Sequence, residues 1–144
     1  MLQLKEHSAS STTPPAQAVS TWSGQAREQA VQRMFTAIAR VYDLNNTLLS
    51  FGLHHRWKKI TASYVPITTG GRALDVGAGT ADLALLVEPR MGVNGRVIAS
   101  DLNHAMLVEG LKKVTNRGLG QRITCLEANA EHLGFPDATF HAVT

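Results

Sequence analysis

The fold of this chain is decided by residues 74–82, which read Leu-Asp-Val-Gly-Ala-Gly-Thr-Ala-Asp. The apolar run from Ala73 to Val76 predicts a short buried strand, and residues 80–88 predict a helix that Pro89 ends. Glycines between a strand and a helix let the backbone approach a ligand closely, and the N-terminus of the helix offers unpaired N–H groups. The segment therefore predicts either a ligand-binding turn or a purely structural tight turn.

The spacing of the two glycines restricts the class of ligand. The dinucleotide pattern G-x-G-x-x-G needs a glycine at position 82, where this chain has Asp82. This difference counts against NAD and flavin dinucleotides. A glycine turn without the pyrophosphate pattern suits a nucleoside ligand that carries no phosphates.

Strands and helices alternate on the C-terminal side of this turn. Residues 97–100 predict a second strand, Asn103 predicts the cap of a helix, residues 123–126 predict a third strand, and residues 140–144 predict the start of a fourth. This alternation is typical of an α/β fold with a doubly wound parallel sheet. Because such sheets usually have about five or six strands, we expect the sheet to be truncated at the fourth strand.

Two polar residues follow strands at the edge where ligands bind in such sheets. Asp101 ends the second strand about 20 residues after the turn, where a carboxylate can accept hydrogen bonds from ribose hydroxyls. The alternative is an aspartate that caps the following helix. Asn129 follows the third strand, where its amide could pair with the edge of an adenine, although it could also be an ordinary turn residue.

The N-terminal side changes character at residue 25. Residues 7–23 are rich in Ser, Thr, Ala and Pro, so we expect residues 1–24 to form a mobile tail and residues 25–144 to form the N-terminal part of a single domain. Helical spacing of apolar residues extends from Gln25 to Tyr42, and a second amphipathic helix is predicted from about Leu53 to Tyr64. The chain has neither a signal peptide nor an apolar run of roughly 18 residues, so we expect a cytoplasmic protein.

Several segments resemble those of known methyltransferases. Residues 74–82, Ser100-Asp101, residues 127–131 and Phe135-Pro136-Asp137 resemble successive motifs of the class I S-adenosylmethionine-dependent methyltransferases. Residues 42–58, Tyr-Asp-Leu-Asn-Asn-Thr-Leu-Leu-Ser-Phe-Gly-Leu-His-His-Arg-Trp-Lys, resemble the longer signature of the ubiquinone/menaquinone biosynthesis C-methyltransferase family. The chain departs from the family at Ala81, where a third glycine is common, at Asn45, where methionine is usual, and at His141, where aspartate is usual.

The resemblance implies a Rossmann-like fold, S-adenosyl-L-methionine as cofactor, and methylation of a ring carbon of a prenylated quinol in menaquinone or ubiquinone biosynthesis. It places Asp101 on the ribose, and Asn129 with the backbone of Ala130 on the adenine. The residues at cofactor positions are Asp75, Gly77, Gly79, Thr80, Asp101, Asn129 and Ala130. No metal site is expected.

The reaction that the resemblance implies needs a base. The ring carbon becomes nucleophilic if a quinol hydroxyl loses its proton, and a histidine that titrates near neutral pH is suited to remove it. His54 is the first candidate, with Asp43 and Tyr42 as helpers.

Residues 54–59, His-His-Arg-Trp-Lys-Lys, form a basic segment with three interpretations. The first is a solvated helix face with Trp57 buried. The second is contact with a membrane surface, which suits a substrate with a polyprenyl tail. A nucleic-acid interface is less favoured because the cluster is short. We therefore expect a prenylated quinol and peripheral membrane contact, no nucleic acid, and we leave a homodimer open.

Three other functions compete with quinol methylation. A class I methyltransferase for another small molecule, such as an amine, or for a nucleic acid would share the fold. An NAD-dependent reductase is disfavoured by Asp82. A cofactor-binding module without activity is the third, and we expect the 144-residue chain alone to be poorly stable and inactive.

Overall fold

The computed structural model describes residues 24–144. The predicted mobile tail lies outside the described residues, apart from Gly24. The helices are α1 (Gly24–Ile38), α2 (Tyr42–Leu49), α3 (Leu53–Tyr64), α4 (Asp82–Val87) and α5 (His104–Asn116), with 3₁₀ turns at Ala39–Val41, Glu88–Met91 and Ala130–His132. The strands are β1 (Arg72–Val76), β2 (Arg96–Asp101), β3 (Ile123–Glu127) and β4 (Ala142–Val143).

All four strands pair in parallel in the order β3-β2-β1-β4. The predicted α/β fold with a parallel, Rossmann-like sheet is therefore confirmed. Val76 at the end of β1 is in register with Ser100 of β2, and Asp101 is in register with Glu127 of β3. This register places the glycine turn and Asp101 side by side at the carboxyl edge of the sheet.

The core lies between the sheet and helices α3, α4 and α5. Buried side chains of β1 and β2 pack against those of the helices, and the largest fully buried ones include Met91, Val87 and Val114. Asn103 caps α5 as predicted, because its side-chain oxygen accepts the N–H of Met106 at 3.1 Å. No helix within residues 24–144 is long and apolar enough to cross a bilayer.

Two predicted helices differ from those in the structure. The first was expected to continue to Tyr42, but α1 ends at Ile38 and the chain turns through Ala39–Val41, where buried Ala39 packs against α5. The helix expected over residues 80–88 begins only at Asp82, because Ala81 has a left-handed backbone with φ of 60° and belongs to the turn. Neither break falls at a proline, so neither could be predicted from that signal.

Candidate functional site

The glycine turn presents its backbone to open space. Gly77 and Gly79 have φ values of 68° and 54°, which favour glycine. The Ala78 N–H donates to the Ser100 carbonyl at 2.9 Å and so attaches the turn to β2. A Cβ atom at Gly77 would meet no atom within 4 Å among the described residues. A ligand could therefore approach the backbone closely here.

Asp101 holds the glycine turn from the neighbouring strand. Its Oδ2 accepts the Gly79 N–H at 2.8 Å, and its Oδ1 accepts the Asn103 N–H at 2.7 Å. The cap of α5 is Asn103, so the alternative interpretation of Asp101 as the helix cap does not hold. Because a carboxylate has about four acceptor positions, its two oxygens can still accept ribose hydroxyls.

A cleft of about 220 Å³ lies beside the turn. It brings together five residues that the sequence singled out, from α2, β1 and the turn. These residues are Tyr42, Asp75, Gly77, Gly79 and Thr80, and the cleft is completed by Lys58, Val76, Ala78, Leu83 and Thr144. The site therefore combines the predicted cofactor turn with one predicted catalytic helper.

Asp75 is the most deeply buried acid of the cleft, with 3% of its surface exposed. Its Oδ2 accepts the Ala84 N–H at 3.0 Å, and its Oδ1 accepts the Thr144 hydroxyl at 3.1 Å. Burial raises the pKa of Asp75 to about 6, although both hydrogen bonds oppose the shift. The side chain thus anchors α4 to β1, and its contact with a cofactor stays a prediction.

Asp43 and Thr80, predicted for different roles, are directly bonded. The buried Thr80 hydroxyl donates to Asp43 Oδ1 at 2.7 Å, and Lys113 Nζ donates to Thr80 Oγ1 at 2.9 Å. Lys113 also forms ion pairs with Asp43 and, at 2.5 Å, with Asp82. Asp43 is therefore part of an ion-pair network, in which one oxygen accepts a hydroxyl and the other faces a cation.

Lys58 extends this network from α3, since its Nζ lies 2.9 Å from Asp82 Oδ2. Burial raises the pKa of Asp82, but the hydrogen bonds and the positive charges of Lys113 and Lys58 together lower it by more, so the net shift is downward. Sequence reasoning missed the roles of Lys58, Asp82 and Lys113. The local signal for this network was Asp82 itself, because an acid in the first turn of a helix is favoured by the positive end of the helix dipole.

His54 is buried in the first turn of α3 and bonded to Ser50. Its Nδ1 lies 2.8 Å from Ser50 Oγ, while the Ser50 hydroxyl donates to the Asn46 carbonyl at 2.6 Å. Because that hydroxyl has a single hydrogen, Nδ1–H must be the donor to Oγ. Nε2 then carries the lone pair, and within residues 24–144 this buried atom has no hydrogen-bond partner.

The surroundings of His54 keep it neutral. Burial lowers its pKa, and the nearby His55 and Lys58 lower it further. The ring centroids of His54 and His55 are 3.8 Å apart, but His55 is exposed. Of the three predicted catalytic residues, Tyr42 lines the cleft beside the turn, whereas His54 and Asp43 do not.

Asn129 and Ala130 lie on the other side of Asp101. Asn129 Oδ1 accepts the Glu131 N–H at 2.9 Å and caps a 3₁₀ turn, as a turn residue would. The same side chain lines a second cleft of about 420 Å³, which is bounded by Leu102 and by residues of α1. Ala130 is exposed. The predicted cofactor residues therefore extend from the first cleft, past Asp101, to the second.

The basic segment does not bury its tryptophan. Trp57 is 59% exposed, so the expectation of a buried Trp57 was wrong. Helix α3 packs through His54 and Ala62 and turns Lys58 towards Asp82, which leaves the adjacent face outside. That face carries Leu53, Trp57, Ile60 and Tyr64, all exposed.

Comparison with known proteins identifies the family. The model of the ubiE/COQ5 methyltransferase family matches residues 23–144. The ubiquinone/menaquinone biosynthesis C-methyltransferase UbiE of Stenotrophomonas maltophilia (strain R551-3) is 42% identical over 82% of this chain, and the match covers 47% of that protein. The chain thus spans about half the length of the curated relatives it matches.

Solved structures agree on the fold. The YcgJ protein from Bacillus subtilis has a TM-score of 0.57 and 26% identity, covering 62% of this chain and 37% of that one. A putative S-adenosyl-L-methionine-dependent methyltransferase from Methanococcus maripaludis has a TM-score of 0.61 and 18% identity, covering 75% of this chain and 48% of that one. The match over residues 23–144, together with the glycine turn and its contact with Asp101, shows that this chain belongs to the ubiE/COQ5 methyltransferase family.

Proposed function

We propose that the protein transfers a methyl group from S-adenosyl-L-methionine to a ring carbon of a prenylated quinol in menaquinone or ubiquinone biosynthesis. The observation that carries the proposal is the contact of Asp101 with the Gly79 N–H, which joins the acid and the glycine turn in one site. Family membership and the similarity to the Stenotrophomonas C-methyltransferase support the reaction class.

The residues of the site fit this cofactor. The open space at Gly77 leaves room for the methionine part beside the turn, and the free acceptor positions of Asp101 suit a ribose. Asn129 lines the second cleft, which offers a place for the adenine. When bound, the cofactor supplies a methyl group already activated on a sulfonium, so the protein has mainly to align the reactants and exclude water.

On the substrate side, His54 is our candidate for the base that takes the quinol proton. The lone pair of its Nε2 has no partner within residues 24–144, and its lowered pKa keeps the ring unprotonated. Tyr42 lines the cleft and can orient the quinol. Asp43, which pairs with Lys113 and accepts the Thr80 hydroxyl, helps by holding the turn rather than by moving a proton.

The test is a calorimetric titration of the full-length protein with S-adenosyl-L-methionine, followed by transfer of a labelled methyl group to demethylmenaquinol. Asp101→Ala should weaken cofactor binding at least about tenfold, because a hydrogen bond to a charged group contributes roughly 1.5–3 kcal/mol. Glu109→Ala, which removes a carboxylate that pairs with Lys112 on the same helix, is the control. An unchanged dissociation constant for Asp101→Ala, or labelled cofactor that methylates no quinol, would contradict the proposal.

Reversible membrane contact from a cytoplasmic location is the second part of the proposal. It is supported by exposed Arg56 and Lys59 beside exposed Leu53 and Trp57 on α3, a combination that favours anionic lipid surfaces. Co-sedimentation with vesicles that contain phosphatidylglycerol should fall when Arg56 and Lys59 are both changed to Gln. Equal binding to phosphatidylcholine vesicles would argue against it. Light scattering of the protein without vesicles reports whether it is a homodimer.

A further inference from the structure

Lys113 joins three elements of the site through a single ammonium group. Its Nζ lies 2.9 Å from Thr80 Oγ1 of the glycine turn and 2.5 Å from Asp82 Oδ1 of α4, and it also pairs with Asp43 of α2. The three N–H groups of a lysine are thereby matched by three acceptors. Nothing in the local sequence around Lys113 distinguishes it from its neighbour Lys112.

The network also fixes the direction of the Thr80 hydroxyl. Because Lys113 can only donate, Thr80 Oγ1 is the acceptor in that contact and its hydrogen points to Asp43 Oδ1. Asp43 directly follows Tyr42, which lines the cleft from α2. The turn and the start of α2 are therefore linked by one hydroxyl and one ammonium.

We infer that Lys113 is a positioning residue, which holds the glycine turn and α2 in a single arrangement so that the cofactor side and the quinol side of the cleft keep their relative placement. This inference rests on the proposed function. Without the ammonium, Asp43 and Asp82 would be two partly buried carboxylates, and only Asp82 would retain a cation, Lys58. The hydrogen bond from Thr80 to Asp43 would then have to hold residues 42–49 against residues 77–82 beside two uncompensated carboxylates, so both segments should open more often.

Lys112 provides a matched control. It is adjacent on α5 and exposed, and it pairs with Glu109 of the same helix at 2.8 Å. Lys112→Met and Lys113→Met remove the same charge and add the same side chain. They differ in whether the lost ammonium bridged the site.

The first measurement is hydrogen exchange of the full-length protein without cofactor. Lys113→Met should speed exchange at least about tenfold in both residues 42–49 and residues 77–82 while β1 and β2 keep their protection, and Lys112→Met should change neither segment. Uniform acceleration across the sheet would show a purely structural role and overturn the inference. Unchanged exchange in either segment would also overturn it.

The second measurement separates the inference from the proposed function. In methyl-transfer assays, Lys113→Met should lower kcat by roughly 10-fold to 100-fold because small misplacements of reacting groups are costly, and Lys113→Arg should recover part of the loss. A loss confined to KM would contradict positioning. If the wild-type protein binds no S-adenosyl-L-methionine, the proposed function fails, whereas the exchange result still decides whether Lys113 links the two segments.

Discussion

At the residue scale, His54 and His55 are neighbours in sequence with different surroundings. His54 is buried and bonded to Ser50, whereas His55 is exposed and its Nε2 lies 3.3 Å from Thr47 Oγ1. In the full-length protein His54→Asn should lower kcat by roughly 100-fold with little change in cofactor affinity, because only the proton transfer loses its partner. His55→Asn should have a mild effect. Steady-state kinetics and calorimetry on both variants measure the difference.

Two outcomes would contradict the assignment of His54. Equal losses of kcat at the two histidines would exclude it as the base. A loss at His54 accompanied by a lower melting temperature and weaker cofactor binding would indicate packing instead. Because burial lowers the pKa of His54, the midpoint of the acidic limb of the pH profile of kcat should lie below 6.5, the ordinary histidine value.

Asp75 predicts a dependence of stability on pH. Its pKa rises from 3.8 to about 6 on burial, so the folded protein binds more protons than the unfolded chain between these values, and stability should fall as the pH rises through this window. The shift corresponds to about 3 kcal/mol. Asp75→Asn removes this cost, and its amide can still bond Ala84 and Thr144. In denaturant unfolding, the increase in the free energy of unfolding of Asp75→Asn over wild type should therefore be larger at pH 7.5 than at pH 4.5.

The control for Asp75 is Asp137→Asn, because Asp137 is exposed. It should leave the unfolding free energy unchanged at both pH values. If Asp75→Asn raised the unfolding free energy equally at both pH values, the buried carboxyl would not be the source of the pH dependence.

At the element scale, α5 packs against the glycine turn through a helical glycine. A Cβ atom at Gly110 would lie 3.1 Å from both Ala81 Cβ and the Thr80 carbonyl carbon. Gly110→Ala should therefore lower the melting temperature, because overpacking costs about 1–3 kcal/mol and the backbone of the turn cannot yield. Helix propensity alone would predict a gain of about 1 kcal/mol. Thermal unfolding decides between the two.

A double variant sharpens this test. Ala81→Gly removes the nearest methyl group and suits the φ of 60° at that position, so it should recover part of the loss caused by Gly110→Ala. Gly120→Ala, where an added Cβ would meet no described atom within 4 Å, is the neutral control. A higher melting temperature for Gly110→Ala would contradict the close packing of α5.

At the scale of the whole molecule, the helices before the sheet expose a broad apolar surface. Phe51 is 93% exposed, Leu49 82% and Tyr64 83%, together with the outer face of α3. Large contiguous apolar patches are unusual on soluble monomers. We therefore expect the 144-residue chain alone to self-associate, to unfold over a broad temperature range and to transfer no methyl group.

Two measurements on the 144-residue chain test this expectation: size-exclusion chromatography with light scattering, and a thermal scan. Phe51→Ser should reduce the self-association, whereas Thr115→Ala, at an exposed site on α5, should not. A monodisperse monomer with a sharp cooperative transition would contradict it.

Local sequence patterns determined most of the fold and which residues meet at the carboxyl edge of the sheet. The apolar run before Gly77, the glycine spacing and the position of Asp101 after the second strand were enough, because adjacent parallel strands place such residues at one edge. The signature over residues 42–58 indicated the family, because all of its residues are contiguous in the chain and need no tertiary structure to be read.

Only the tertiary structure decided the contacts between distant segments. The bond between Thr80 and Asp43 joins residues 37 apart, and that between Lys113 and Asp82 joins residues 31 apart. Likewise, both His54 and Trp57 lie on α3, yet packing buries the first and exposes the second. Hydrophobic periodicity shows that a helix has two faces, but which face turns inward, and which charges then meet, depends on how the helices pack against one another and against the sheet.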